Sequence, residues 1–161
     1  MFRLKKYVLL GFIITIFPFF AKAQKKASDK IYWLALDKYT LALDAGSHPN
    51  PYIGNEKVIY LQKSDYVDSI PPLINGYSIV LITNENQKTL YKQHNRKLTH
   101  TIMFPVAVQD SMLYITITPY SGRLKGNRHF FLGVSEGTTI YFKFDPGKKQ
   151  FIVNKIKNWG I

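Results

Sequence analysis

Apolar and polar positions change period along this chain, and the changes mark its elements. From Ile31 to Ala45 the apolar residues recur at helical spacing. Ile31, Leu34, Ala35, Leu41, Ala42 and Ala45 form one stripe; Tyr32, Leu36, Tyr39 and Leu43 form a second beside it. At about 100° per residue, Asp37, Thr40 and Asp44 share the remaining face with Trp33. Ser28 stands where an N-cap belongs, Asp29 suits the positive end of the helix dipole, and Gly46 stands at the C′ position. The apolar arc is wide, so this helix is expected to be wrapped by a sheet.

Residues 47–56 carry two prolines and a glycine and read as a loop. Residues 57–62 are a short apolar strand. Residues 64–75 are irregular around Pro71-Pro72, and Asn75-Gly76 signals a turn. Residues 77–83, apolar on both faces, predict a central strand. Asn84, with Gln87 three residues on, predicts a capped short helix to about His94, with Leu90 as its main apolar contact and 92–97 exposed.

The C-terminal half turns to period two. Ile102, Phe104, Val106 and Val108 alternate, with Pro105 marking an edge or bulge. After a turn at 109–111, Leu113, Ile115 and Ile117 face one way and Tyr114, Thr116 and Thr118 the other. Residues 121–128 read as a loop with two glycines and three cations. Strands follow at 129–134 and 138–144, then a turn at 145–148 whose Pro146 and Gly147 fit type II, then a strand at 151–156. Trp159 is placed to clamp the tail.

This order predicts an α+β domain: a long N-terminal helix packed on a curved, mainly antiparallel sheet, with a second short helix. An alternative for residues 77–108 is a βαβ unit in a mixed sheet. In element order over residues 28–161, and in its ending Phe-Lys-Phe-Asp-Pro-Gly-Lys-Lys-Gln-Phe-Ile-Val from Phe142, the chain resembles cystatin-like and NTF2-like α+β rolls. It is similar in the same respects to small exported proteins of Gram-negative bacteria. The resemblance is of fold and carries no functional residue across.

The first 23 residues stand apart. A positive start (Arg3, Lys5, Lys6) precedes an uncharged apolar run from Tyr7 to Phe20, and Ala21-Lys22-Ala23 follows. That is the layout of a secretory signal peptide, with cleavage between Ala23 and Gln24. A bilayer core needs about 20 apolar residues and this run is shorter, so the expectation is an exported chain, periplasmic or secreted, with no membrane span after cleavage.

The whole chain has 161 residues and a formal charge of +12. Removing Arg3, Lys5, Lys6 and Lys22 leaves 18 basic residues against 10 acidic ones, or +8 for a single domain over 24–161. The hydrophobic fraction of 46% and aromatic fraction of 15% exclude a disordered tail. The absence of cysteine excludes a disulfide scaffold, a thiol nucleophile and a Cys-ligated metal, and suits a bacterial envelope.

Candidate chemistry is sparse. His48, His94, His100 and His129 fit no metal-binding spacing, so no metal and no cofactor are expected. No Gly-x-Ser-x-Gly occurs. Asp65 with Asp68, and Asp37 with Asp44, are acid pairs of the kind solvent keeps. The cations form no periodic stripe, so nucleic acid is not an expected partner. The 121–128 loop lacks the Gly-Lys-Ser/Thr ending of a phosphate loop, but its Arg123, Lys125 and Arg128 are candidates for binding an anion. The expected function is a non-catalytic exported domain that binds a ligand or protein partner, an anionic envelope component among the candidates. A small pocket hydrolase or isomerase in a roll, and an inhibitor or immunity-type protein, are the alternatives. A buried Asp, Glu or His with a perturbed pKa in a helix–sheet pocket would favour the enzyme.

Overall fold

The computed structural model describes residues 29–45, 57–126, 129–134 and 136–160. The signal segment with Ala23 and Gln24, the caps at Ser28 and Gly46, the 47–56 loop and Arg128 lie outside the described residues. Helix α1 spans residues 29–44. Then follow β1 (Val58–Gln62), β2 (Leu73–Ile74), β3 (Tyr77–Ile82), α2 (Gln87–Gln93), β4 (Lys97–Met103), β5 (Ala107–Gln109), β6 (Met112–Lys125), β7 (His129–Val134), β8 (Glu136–Asp145) and β9 (Gln150–Gly160).

The expected architecture is corrected. Strand makes up 54% of the structure and helix 19%, so the sheet, not a long helix, organises the fold. Nine strands form one mixed sheet in the order β2-β3-β1-β4-β6-β8-β9, with β5 and β7 also paired to β6. β3, β1 and β4 run parallel; β6, β8 and β9 continue antiparallel. The coarser expectation holds: helices combine with an antiparallel-rich sheet. The βαβ alternative is also observed, with β1 inserted between β3 and β4. β1 and β3 could be parallel neighbours because both are apolar on both faces and a helix covers each side.

Strand alternation divides the core in two. Ile59, Leu61, Tyr77, Ile79, Met103, Ile115, Ile117, Ile140 and Phe142 meet Ile31, Tyr32, Ala35, Leu36 and Tyr39 of α1. On the opposite face Ile82, Leu98 and Leu124 meet Tyr91 of α2. Tyr91, not Leu90, is the fully buried anchor of that helix. Its N-cap is Asn86, not Asn84, and the Asn86 side chain binds Thr83 N and Leu81 O rather than capping. At α1 the Tyr39 hydroxyl is buried with no hydrogen-bond partner among the described residues.

β6 carries 14 residues and is the spine of the antiparallel half. Met103 faces Ile117 and Ala107 faces Tyr114, so four steps on the β4–β5 side meet three on β6. Likewise Val134 faces Tyr120 and Thr138 faces Ile117 on the other side. Each flank therefore gains one residue, as in a β-bulge. Pro105 lies within the first slip. Pro119 tolerates its central position because of the second. Thr116 O and Leu124 N bond toward β4, so even-numbered residues of β6 direct their backbone that way. The N–H that Pro119 lacks would point to the other side, where the ladder is already interrupted.

Turns follow local chemistry. Asn75 and Gly76 both have positive φ, as a type I′ hairpin requires, and so do Asp110 and Ser111 between β5 and β6. The type II expectation at 146–147 fails because Gly147 does not adopt positive φ. Asp145 Oδ1 instead accepts from Gly147 N and Lys148 N, and Lys149 takes the left-handed conformation.

Candidate functional site

The segment 121–125 is strand, not loop. Gly122 suggested a turn, yet it serves packing: a Cβ there would collide with the Tyr91 hydroxyl and lie 2.8 Å from Leu98 O. The strand sends Leu124 toward Tyr91, beside Leu98 of β4. Arg123 and Lys125 must then face the opposite side.

That side is the α1 face, but α1 does not extend over it. A 16-residue helix is about 24 Å long, whereas a 14-residue strand reaches about 46 Å. Of β6, Ile115 and Ile117 lie in the α1 core and Leu113 packs against it. The C-terminal half of β6 extends past the helix and its outward row is exposed.

Register brings further residues into this row. Lys97 of β4 lies directly across from Arg123, and Arg123 directly across from Phe131 of β7. Lys125 faces His129, and Ser121 faces Gly133. Ser121, Arg123, Lys125, Phe131 and Gly133 line an open groove of about 380 Å³. Phe131 is 54% exposed, and Lys125 Nζ lies 5.9 Å from its ring centre. Just outside, Arg96 donates from Nη1 to Gly126 O at 3.1 Å, pinning another cation beside the β6–β7 turn. Among the described residues, no carboxylate pairs with Lys97, Arg123 or Lys125. Like charges directly opposite each other destabilise a sheet, so the Lys97–Arg123 pair is a standing electrostatic cost.

Two of the three anticipated cations, Arg123 and Lys125, thus share one strand face. Lys97 and Phe131 were missed. Lys97 stood in the polar run 92–97, read as exposed and running past the end of a short helix. Phe131 would have been found by extending the alternation of 129–134 against that of 121–125.

Among the described residues no three His, Cys, Asp or Glu side chains converge on a metal position. No helix among them is long and apolar enough to cross a membrane. No protein family, curated protein or solved structure matches the chain.

Proposed function

We propose that the protein is a non-catalytic exported domain that binds an anionic envelope component through the strip formed by Lys97, Arg123, Lys125 and Phe131. The observation that carries this reading is the Lys97–Arg123 pair: two adjacent strands place cations opposite one another, and among the described residues no carboxylate pairs with either. An anionic group seated there removes the repulsion, and Arg123 can hold it with a bidentate fork. The exposed Phe131 ring supplies an apolar surface beside the charge. Export is supported by the leader sequence, and removal of that leader would place Gln24 at the mature N-terminus.

The test is a variant with Lys97→Ser, Arg123→Ser and Lys125→Ser. We expect its melting temperature to stay close to the parent's, because surface changes stay within about 0.5 kcal/mol each. We expect it to elute from heparin at clearly lower salt and to lose binding to phosphatidylglycerol vesicles. A folded variant retained as strongly as the parent on both matrices overturns the proposal.

A further inference from the structure

We propose that the crevice at the carboxyl ends of β1 and β3 is a second binding site, for a small polyhydroxylated molecule that carries a primary ammonium group. It is separate from the anionic strip and does not depend on it.

The crevice follows from topology. After β1 the chain crosses to the α1 face: Val67 enters the α1 core, Asp68 N donates to Asp29 Oδ1 at 3.2 Å, and Trp33 Nε1 donates to Ser69 O at 2.7 Å. After β3 it crosses to the other face, through α2 and Tyr91. Two adjacent parallel strands whose connections leave in opposite directions open a gap between their carboxyl ends, which is where open parallel sheets take ligands. The cavity there measures about 280 Å³.

Its walls are fixed without a ligand. Lys63 N donates to Ile82 O at 2.8 Å, tying the two strand ends together. Thr83 N donates to Asn86 Oδ1 at 2.8 Å, and Asn86 N donates back to Thr83 Oγ1 at 3.3 Å. His100, 2% exposed, forms part of the lining. Its Nδ1 lies 3.1 Å from the Tyr91 hydroxyl and its Nε2 3.2 Å from Gln62 Oε1. Since Gln62 Oε1 only accepts, Nε2 carries a proton. Burial pushes its pKa down to about 4, so the imidazole is neutral near pH 7 and Tyr91 donates to Nδ1. With both ring nitrogens already bonded, His100 presents no free base to a bound molecule, so its perturbed pKa does not argue for an enzyme.

The lining selects the ligand. Gln62, Thr83 and Gln87 offer neutral hydrogen-bonding groups suited to hydroxyls, while the internally bonded His100 closes the floor. Asp65 and Glu85 supply two carboxylates against one cation, Lys63, in a domain that is strongly basic overall. The Glu85 carboxyl is held below its usual range by the Thr83 hydroxyl, by its own backbone N–H and by the Lys63 charge, so it stays ionised. A cation is thus attracted here and nowhere repelled by His100.

Three hexose derivatives of one size separate the outcomes: glucosamine, glucose and gluconate, each titrated into the isotope-labelled protein while backbone amide shifts are followed. We expect saturable shifts at Gln62, Thr83, Glu85 and Gln87 with glucosamine, at least tenfold weaker binding of glucose, and none of gluconate. The Asp65→Asn, Glu85→Gln variant should remove the glucosamine preference while its spectrum elsewhere stays unchanged. The Arg123→Ser, Lys125→Ser variant should bind glucosamine as the parent does. Equal binding of glucose, binding of gluconate, or no shifts in the crevice with any of the three overturns the proposal.

Discussion

Replacing Gly122 with alanine tests how tightly β6 and β4 pack against α2. An added Cβ would collide with the Tyr91 hydroxyl and stand 2.8 Å from both Tyr91 Cζ and Leu98 O. Leu98 O belongs to β4 and cannot yield, so Tyr91 must move. Tyr91 is fully buried and its hydroxyl serves His100 Nδ1. Overpacking costs about 1–3 kcal/mol. Leaving the buried His100 nitrogen without its donor adds about 1–3 kcal/mol. Loss of chain entropy in the unfolded alanine variant returns about 0.5 kcal/mol. The sum is on the order of 3 kcal/mol, readable by urea unfolding. Tyr91→Phe alone removes the donor but not the ring and should cost about 1–3 kcal/mol. In the double variant the lost hydroxyl makes room for the new methyl. The two costs should then fall short of additivity by about 1 kcal/mol or more, with full relief prevented by Leu98 O. Additivity within about 0.5 kcal/mol would mean that Tyr91 and Gly122 do not share space, and would refute the packing argument.

His100 gives a pH prediction. Its folded-state pKa of about 4 lies below the ordinary 6.5, so the unfolded chain binds the proton more tightly. Stability from the neutral imidazole is complete above about pH 6.5 and is lost as pH falls toward 4, by on the order of 3 kcal/mol. Urea midpoints measured from pH 7 to 4.5 should fall in the parent and flatten in a His100→Phe variant; parallel curves would contradict this. Asp44 and Asp37 titrate below their ordinary values, Asp44 because Lys57 and Tyr77 bond it and Asp37 because Lys38 and Asn75 do, so their contributions fall away only below that window. Asn75 both turns the β2–β3 hairpin and donates to Asp37 O, Asp37 Oδ1 and Thr40 Oγ1 of α1. Asn75→Gly keeps the turn and should lose about 1 kcal/mol of docking, whereas Asn75→Ala, at φ of +49°, should lose about 1 kcal/mol more. Equal midpoints for the two would refute a role for the left-handed conformation.

Alternation at 113–118 was legible because Ile115 and Ile117 enter the core while Tyr114 and Thr116 stay half-buried; at 138–144 Ile140 and Phe142 are core as the alternation implies, but Phe144 is exposed at the strand's end. The parallel pairing of β1 with β3 and β4 was not, since a strand apolar on both faces carries no sign of its neighbours or their direction. Pro105 announced its break honestly, while Pro119 concealed itself inside an unbroken alternation. At 121–125 the glycine and the cations mimicked a loop; only the position of Tyr91, from a helix thirty residues away, explains why a strand needs Gly122. The cationic row was half legible for the same reason. Arg123 and Lys125 stand two apart in sequence, but Lys97 joins them through register alone. Trp159 does pack the tail, with its indole resting on Gly137, a position where a Cβ would collide with it.

Mapping amide shifts on the protein as a short sulfated oligosaccharide is added tests most directly where an anion docks. The strip predicts that the largest changes gather at Lys97, Ser121, Arg123, Lys125 and Phe131 and fade at high salt. Changes centred on Lys155 and Lys157 of β9 instead, with β6 unmoved, would contradict it.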